Sequence, residues 1–166
     1  MDTFFEQLIK IKLTGKVRAL IVLILAVDIL VVFGVGFFAF WLGMLEMLII
    51  ILAVAIYGTY KLISMLSIEY EYIYTNGEFD VDKIIGKSSR KRMVSIKCSE
   101  IEKYGEYKGQ PAPGSVKNTF FFCNPDSEGQ VYIIAKDRNL GMVMMVLAPE
   151  ERVRNEIEKV VPRLAK

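Results

Sequence analysis

The 166-residue sequence has no histidine, two cysteines, one tryptophan and five prolines. Each shortage removes a class of chemistry. Without histidine the chain lacks the side chain that most often acts as general base or metal ligand near neutral pH. Two cysteines with no histidine to join them make a poor zinc site. The sequence also has no phosphate-binding loop, dinucleotide fingerprint or serine nucleophile elbow. An excess of one charge is missing as well. The net charge is +2, and residues 67–166 hold 16 Lys and Arg against 15 Asp and Glu. A balance this even gives no general reason to bind nucleic acid. The acidic pairs Asp80 with Asp82 and Glu100 with Glu102 alternate with apolar residues, as on the solvated face of a sheet, and do not suggest a catalytic dyad. The expectation is a protein that is not an enzyme, with no catalytic residue, cofactor or metal site.

What the chain has instead is apolar length. It is 53% hydrophobic, and between Arg18 and Lys61 only Asp28 and Glu46 carry formal charge. A bilayer crossing needs about 20 apolar residues, so this stretch divides into two spans and a short turn. We expect spans over about 19–40 and 44–66, within a hairpin covering residues 18–66. A secretory leader would be shorter and end in a small-x-small site, whereas this run continues through Phe37, Phe38, Phe40 and Trp41. Lys10, Lys12, Lys16 and Arg18 precede the first span, Lys61 closes the second, and the turn near Leu42 and Gly43 has no basic residue. The positive-inside rule then predicts a two-span protein of the cytoplasmic membrane with both termini in the cytoplasm. There Cys98 and Cys123 would stay reduced and serve as packing residues.

Residues 1–17, "MDTFFEQLIKIKLTGKV", place Thr3 and Glu6 at capping-box spacing, with Phe4, Phe5, Leu8 and Ile11 on a broad face beside Lys10 and Lys12. This predicts a juxtamembrane amphipathic helix ending near Gly15.

From Ser67 the period changes to two. Tyr70, Tyr72 and Tyr74 alternate with Glu69 and Glu71, and Phe79 and Val81 alternate with Glu78, Asp80 and Asp82. Between them Asn76-Gly77 is the strongest two-residue hairpin signal, because a type I′ turn needs positive φ at both central positions. Further strands are expected at about 90–97, 101–107, 118–123, 130–136 and 140–147, separated by Gly- and Pro-rich loops. In "GMVMMVLAP", Met142, Met144 and Met145 read first as core and second as an adaptable partner surface. The closing "APEERVRNEIEKVV" predicts a helix with Pro149 in its first turn and a stripe of Val153, Ile157, Val160, Val161 and Leu164, ended by Pro162.

About seven antiparallel strands closed by one amphipathic helix outline a pleckstrin-homology-like (PH-like) barrel. The stretch "YEYIYTNGEFDVDKIIGKSSRKRMVSIKCSEIEKY", with Ser99-Glu100-Ile101-Glu102 at its "SxIxxx" segment, resembles the opening of bacterial PH-like domains. The "MDTFFEQLIKIK" start plus the two-span hairpin resembles a domain-of-unknown-function family of small membrane proteins of Gram-positive bacteria. The resemblance implies an α+β membrane protein, a transmembrane helical hairpin followed by a cytoplasmic PH-like domain over residues 67–166. It implies architecture and supplies no catalytic residues.

Two groups of residues are candidate contacts. In "GKSSRKR", Lys87, Arg90, Lys91 and Arg92 would meet an anionic lipid surface, each basic residue contributing about 1 kcal/mol, or would simply be a solvated edge. Asp28 lies deep in the first span, where a carboxylate costs about 2.5–3.5 kcal/mol and must be neutral, paired or sheltered. Folding the hairpin about Leu42 sets Tyr57 at matching depth, with Thr59 and Tyr60 one turn nearer the cytoplasm, so any of the three hydroxyls is a candidate partner. Asp28 then reads as polar glue within the hairpin, as a joint to a second protomer or another membrane protein, or as part of a conduction path. Ala55 and Thr59 add a small-xxx-small spacing with Gly58 beside them. The function expected is a membrane-tethered interaction or scaffold protein, with a sensor of anionic lipid and a small transport or channel accessory subunit as alternatives.

Overall fold

The computed structural model describes residues 3–44 and 46–162. By internal contacts the chain forms two compact units: residues 12–67 with 85–87, and the remainder.

The first unit is a pair of helices. The helix α1 (Gly15–Trp41) is started by Thr14, whose hydroxyl accepts the Val17 N–H at 3.4 Å. After a turn, α2 (Met47–Met65) returns. At 1.5 Å per residue α1 is about 40 Å long, more than the roughly 30 Å of a hydrocarbon core. Both helices are long and apolar enough to cross a membrane, and neither is buried by the rest of the chain. They approach closely beside the turn, where a Cβ on Gly36 would lie 3.2 Å from Leu48 Cδ2.

The second unit begins with a correction. Phe4–Lys10 is a strand, β1, where the capping-box spacing predicted a helix. It pairs antiparallel along its whole length with β2 (Ile68–Thr75), from Phe4 opposite Thr75 to Lys10 opposite Glu69. A helix of this length is marginal in water, whereas the strand finds a ladder of backbone partners and turns Phe5, Gln7 and Ile9 to the protein side. Phe5 and Ile9 pack on the core, Phe5 against Tyr74, and Gln7 is buried. Gly15 therefore opens α1 and does not end an N-terminal helix. The hairpin is inserted between two neighbouring strands of one sheet, and the Ile11 N–H bonds the Ile68 carbonyl at 3.1 Å where the chain leaves and re-enters.

The sheet continues with β3 (Glu78–Ile85) and β4 (Ser89–Lys97), in the order β1-β2-β3-β4. Asn76 (φ 48°) and Gly77 (φ 87°) form the expected turn between β2 and β3. A second sheet contains β5 (Ile101–Glu106), β6 (Asn118–Phe121), β7 (Val131–Asp137) and β8 (Gly141–Leu147), in the order β5-β7-β8-β6. The described residues thus form eight strands in two four-stranded sheets, not a closed antiparallel barrel of about seven. One pairing, β6 on β8, is parallel. It arises because the chain from Phe122 to Gln130 carries β7 to the far edge of β8.

The sheets share one core. Tyr72, Phe79, Val81, Val94 and Ile96 of the first meet Ile133, Ala135, Val143, Met145 and Leu147 of the second. The helix α3 (Glu151–Val160) closes it with Val153 and Ile157, joined by Val161. Val160 is exposed, Leu164 lies outside the described residues, and Pro149 falls just before the helix. On the other face of the second sheet, Met144, Val146 and Ile134 bury against Cys123 and Tyr107. The methionine-rich strand is therefore core on both faces, as its first reading held. Both cysteines are buried, and burial pushes the Cys98 thiol up to about 12 and Cys123 to about 11, so neither is poised as a nucleophile.

Candidate functional site

Three local arrangements place the chemically active side chains. The first lies on the hairpin. Asp28 and Thr59 line one groove of about 320 Å³ together with Leu23, Ile24, Val27 and Val31. Of the three expected hydroxyls only Thr59 joins Asp28 there; Tyr57 and Tyr60 are about two-thirds exposed and project elsewhere. The helix α1 ends at Trp41 and α2 begins at Met47, so the hairpin does not pivot on Leu42, and the residue level with Asp28 moves along α2 by about one helical turn. Among the described residues Asp28 makes no hydrogen bond or ion pair, and none of them serves as its partner in the groove.

The second arrangement involves the basic cluster. Arg90 Nη1 lies 2.7 Å from Glu71 Oε2, and the Arg92 guanidinium bridges Asp80 and Asp82. Asp82, expected on a solvated face, is instead buried, and so are Glu69 and Glu71, Glu71 to 1% exposure. Burial, a side-chain hydrogen bond to Glu6 and the charges of Glu6 and Asp82 push the Glu71 carboxyl upward, against the pull of Arg90. Glu6 and Glu71 face the same side of the β1–β2 ladder one diagonal apart, Glu6 opposite Ile73 and Glu71 opposite Leu8. Two of the four candidate cations are thus engaged by carboxylates within the domain. Lys91 is exposed, and Lys87 is exposed in a left-handed turn position (φ 59°). Alternation along β2 and β3 gave the acids; their pairing with arginines required the position of β4, which local pattern does not give.

The third arrangement is the seam beside β4, which sequence reading missed. Asp137 Oδ2 accepts the Ser95 N–H at 2.8 Å, and its Oδ1 accepts the Asn139 and Leu140 N–H groups, both at 2.7 Å. Burial alone would push this carboxyl up, but these backbone donors win and hold it below its ordinary value. The "DRN" between two strands is the only local signal, an Asx-type turn opening on aspartate. At the other end of the β7–β8 pair, β1 is tied across the domain: Gln7 donates to the Ala148 carbonyl at 3.2 Å and accepts the Glu150 N–H at 2.7 Å. Tyr72 likewise donates to the Phe122 carbonyl at 2.8 Å.

Two sheets around one core, a closing C-terminal helix and an apolar hairpin set into the first sheet now stand together. The family model of the bacterial PH-like domain (DUF6106) matches residues 1–166. The chain belongs to this family. The match includes the hairpin as well as β1. No curated protein and no solved structure matches the chain.

Proposed function

We propose that this member of the family is a non-enzymatic, membrane-tethered interaction protein. Its hairpin crosses the bacterial cytoplasmic membrane twice, both ends face the cytoplasm, and the PH-like domain is presented there to a second copy or another membrane protein. The observation that carries this reading is the insertion of the apolar hairpin between β1 and β2. Both ends of the hairpin must return to the side on which those two strands pair. The basic residues agree, with Lys10, Lys12, Lys16 and Arg18 before the first helix, Lys61 in the second and none in the turn.

Asp28 supports the association. An acid in a groove of lipid-facing residues is costly unless something covers it, and among the described residues Thr59 is the one polar neighbour in that groove. A helix from a second protomer or a partner, supplying a donor, would meet both. Asp28→Asn keeps hydrogen-bonding capacity and Asp28→Leu removes it. Full-length protein purified from its native membrane in mild detergent should bring down a stoichiometric partner or migrate as a multimer. That association should survive in Asp28→Asn and fall by about tenfold, or about 1.4 kcal/mol, in Asp28→Leu. A monomer with no partner, unaltered by either substitution, would refute the reading. Enrichment of acidic lipid alone would favour a lipid sensor.

A further inference from the structure

The strand β1 is an edge of the first sheet, and its hydrogen bonds fix which way its backbone points. At one end the Asn76 N–H bonds the Thr3 carbonyl at 3.0 Å, and at the other the Ile11 N–H bonds the Ile68 carbonyl at 3.1 Å. With the register unbroken between them, Phe5, Gln7 and Ile9 also bond to β2, and the even-numbered residues turn their N–H and C=O groups outward. A further bond has the same phase: the Lys10 carbonyl accepts Asn124 Nδ2 at 3.0 Å from outside the sheet. Asn124 thus stands where a neighbouring strand would stand and closes the Lys10 end of the edge. Phe4, Glu6 and Leu8 are left, and their outward backbone groups form no hydrogen bond among the described residues. Their side chains share the outer face of the ladder and all three are exposed, an acid between two large apolar groups. Arg90 is held by Glu71 at 2.7 Å, and Glu6 forms no ion pair among the described residues.

We propose that this edge takes up an extended, basic segment of a partner protein, which adds to β1 as a further strand with a Lys or Arg against Glu6 and apolar residues against Phe4 and Leu8. The inference rests on the reading of the chain as an interaction protein and locates a surface of its domain. Backbone donors and acceptors that repeat at every second residue are satisfied by another backbone, and the side chains beside them choose its sequence. Because Phe4 and Leu8 flank Glu6 symmetrically, the segment carries its basic residue two positions from an apolar one on each side, whichever way it runs. A second copy of β1 fits poorly. The antiparallel pairing that a two-fold dimer needs sets Glu6 against Glu6 of the copy, a destabilising pair of like charges. A shift by two residues sets Glu6 against Phe4 or Leu8, and the shift that brings Lys10 opposite Glu6 needs the carbonyl that Asn124 holds. The cytoplasmic flanks of membrane proteins, rich in Lys and Arg beside apolar residues, have the required composition.

The test is selection of a phage-displayed random dodecapeptide library on the full-length protein in detergent micelles. The most enriched peptide, labelled with fluorescein, is then titrated by anisotropy. Enriched peptides should carry a Lys or Arg with large apolar residues two positions before and after it. Glu6→Gln should weaken binding about fivefold and Glu6→Lys by more than about tenfold. Glu6→Lys should in turn bind the same peptide once its basic residue is changed to Glu. Leu8→Pro takes away an outward donor without touching a bond to β2, and should weaken binding by more than about tenfold. In the wild-type protein, hydrogen exchange at the Glu6 and Leu8 amides should slow when the peptide binds, while the Phe5 and Gln7 amides, already bonded to β2, change little. That readout stands even where a variant does not fold. Failure to enrich any such peptide, binding unchanged in folded Glu6→Lys and Leu8→Pro, or slowed exchange elsewhere only would overturn the proposal and leave Glu6 as a charge that guards the edge. Self-association lost in Leu8→Pro would overturn it too and assign the edge to a second copy. A partner that co-purifies equally with Leu8→Pro and wild type would discard this edge and leave the broader interaction reading intact.

Discussion

The hairpin and the PH-like domain are both rich in apolar residues and use them in opposite directions. On α1, Phe33, Phe37 and Trp41 are about three-quarters exposed, while in the domain Tyr72, Phe79 and Val81 have no accessible surface. The domain carries its own apolar solvent inside, closed by two sheets and α3. The hairpin turns its apolar surface outward and depends on whatever surrounds it. Polar groups follow the same division. In the domain, Asp137, Glu71 and Gln7 find partners within the chain, whereas Asp28 finds none among the described residues. A buried polar group satisfied internally contributes to fold; one left open in an apolar groove is a cost that the fold itself does not offset.

The sharpest way to break this comparison is to truncate one phenylalanine in each region. Phe79→Ala should cost the domain about 3–5 kcal/mol, seen as a lowered urea midpoint in detergent. Phe33→Ala should leave the unfolding curve within about 0.5 kcal/mol of wild type. Equal costs would mean that the hairpin also has an interior.

A smaller effect is expected at the seam. Asp137→Asn replaces one carboxylate oxygen by an NH₂ group and leaves a backbone donor unsatisfied, so it should cost about 2–3 kcal/mol. Its pH dependence has a definite sign. The carboxyl is held below its ordinary value, so its contribution is complete above the unfolded value of about 3.9 and is lost as pH falls through the lower folded value. Wild type should therefore lose stability in acid more steeply than Asp137→Asn, and parallel curves would count against the three backbone hydrogen bonds. The smallest effect concerns the turn between β3 and β4. Lys87 is left-handed, so Lys87→Gly should raise the melting temperature slightly, by about 0.5–1 kcal/mol of relieved strain. A loss would show that the lysine makes a contact offsetting that strain.

Local pattern made much of the fold legible before the structure. Alternating tyrosines with Asn76-Gly77, the apolar stretch broken near Gly43 and the stripe on α3 each specify an element from neighbours in sequence. The errors came where distant pairing decides. Seven residues of β1 fit a helical face almost as well as a strand, and what separates the two is β2, lying beyond the whole hairpin. The parallel placement of β6 on β8 depends on a loop crossing that leaves no period. The arginine–carboxylate pairs could not be read from the composition of "GKSSRKR", because Glu71 and Asp82 belong to other strands. Asp28 was visible at once as an exception to its surroundings, but which of Tyr57, Thr59 and Tyr60 shares its groove depended on where the two helices end, and it is Thr59.

The interruption of the first sheet also orders events during synthesis. The strand β1 leaves the ribosome before either apolar helix, yet its partner is made only after both, with Lys10 waiting for Glu69. Until then Phe5 and Ile9 have no core to enter and Gln7 no Ala148 or Glu150 to bind. Completion of the domain therefore waits on the hairpin: until both helices have been made, β1 has no strand to pair with.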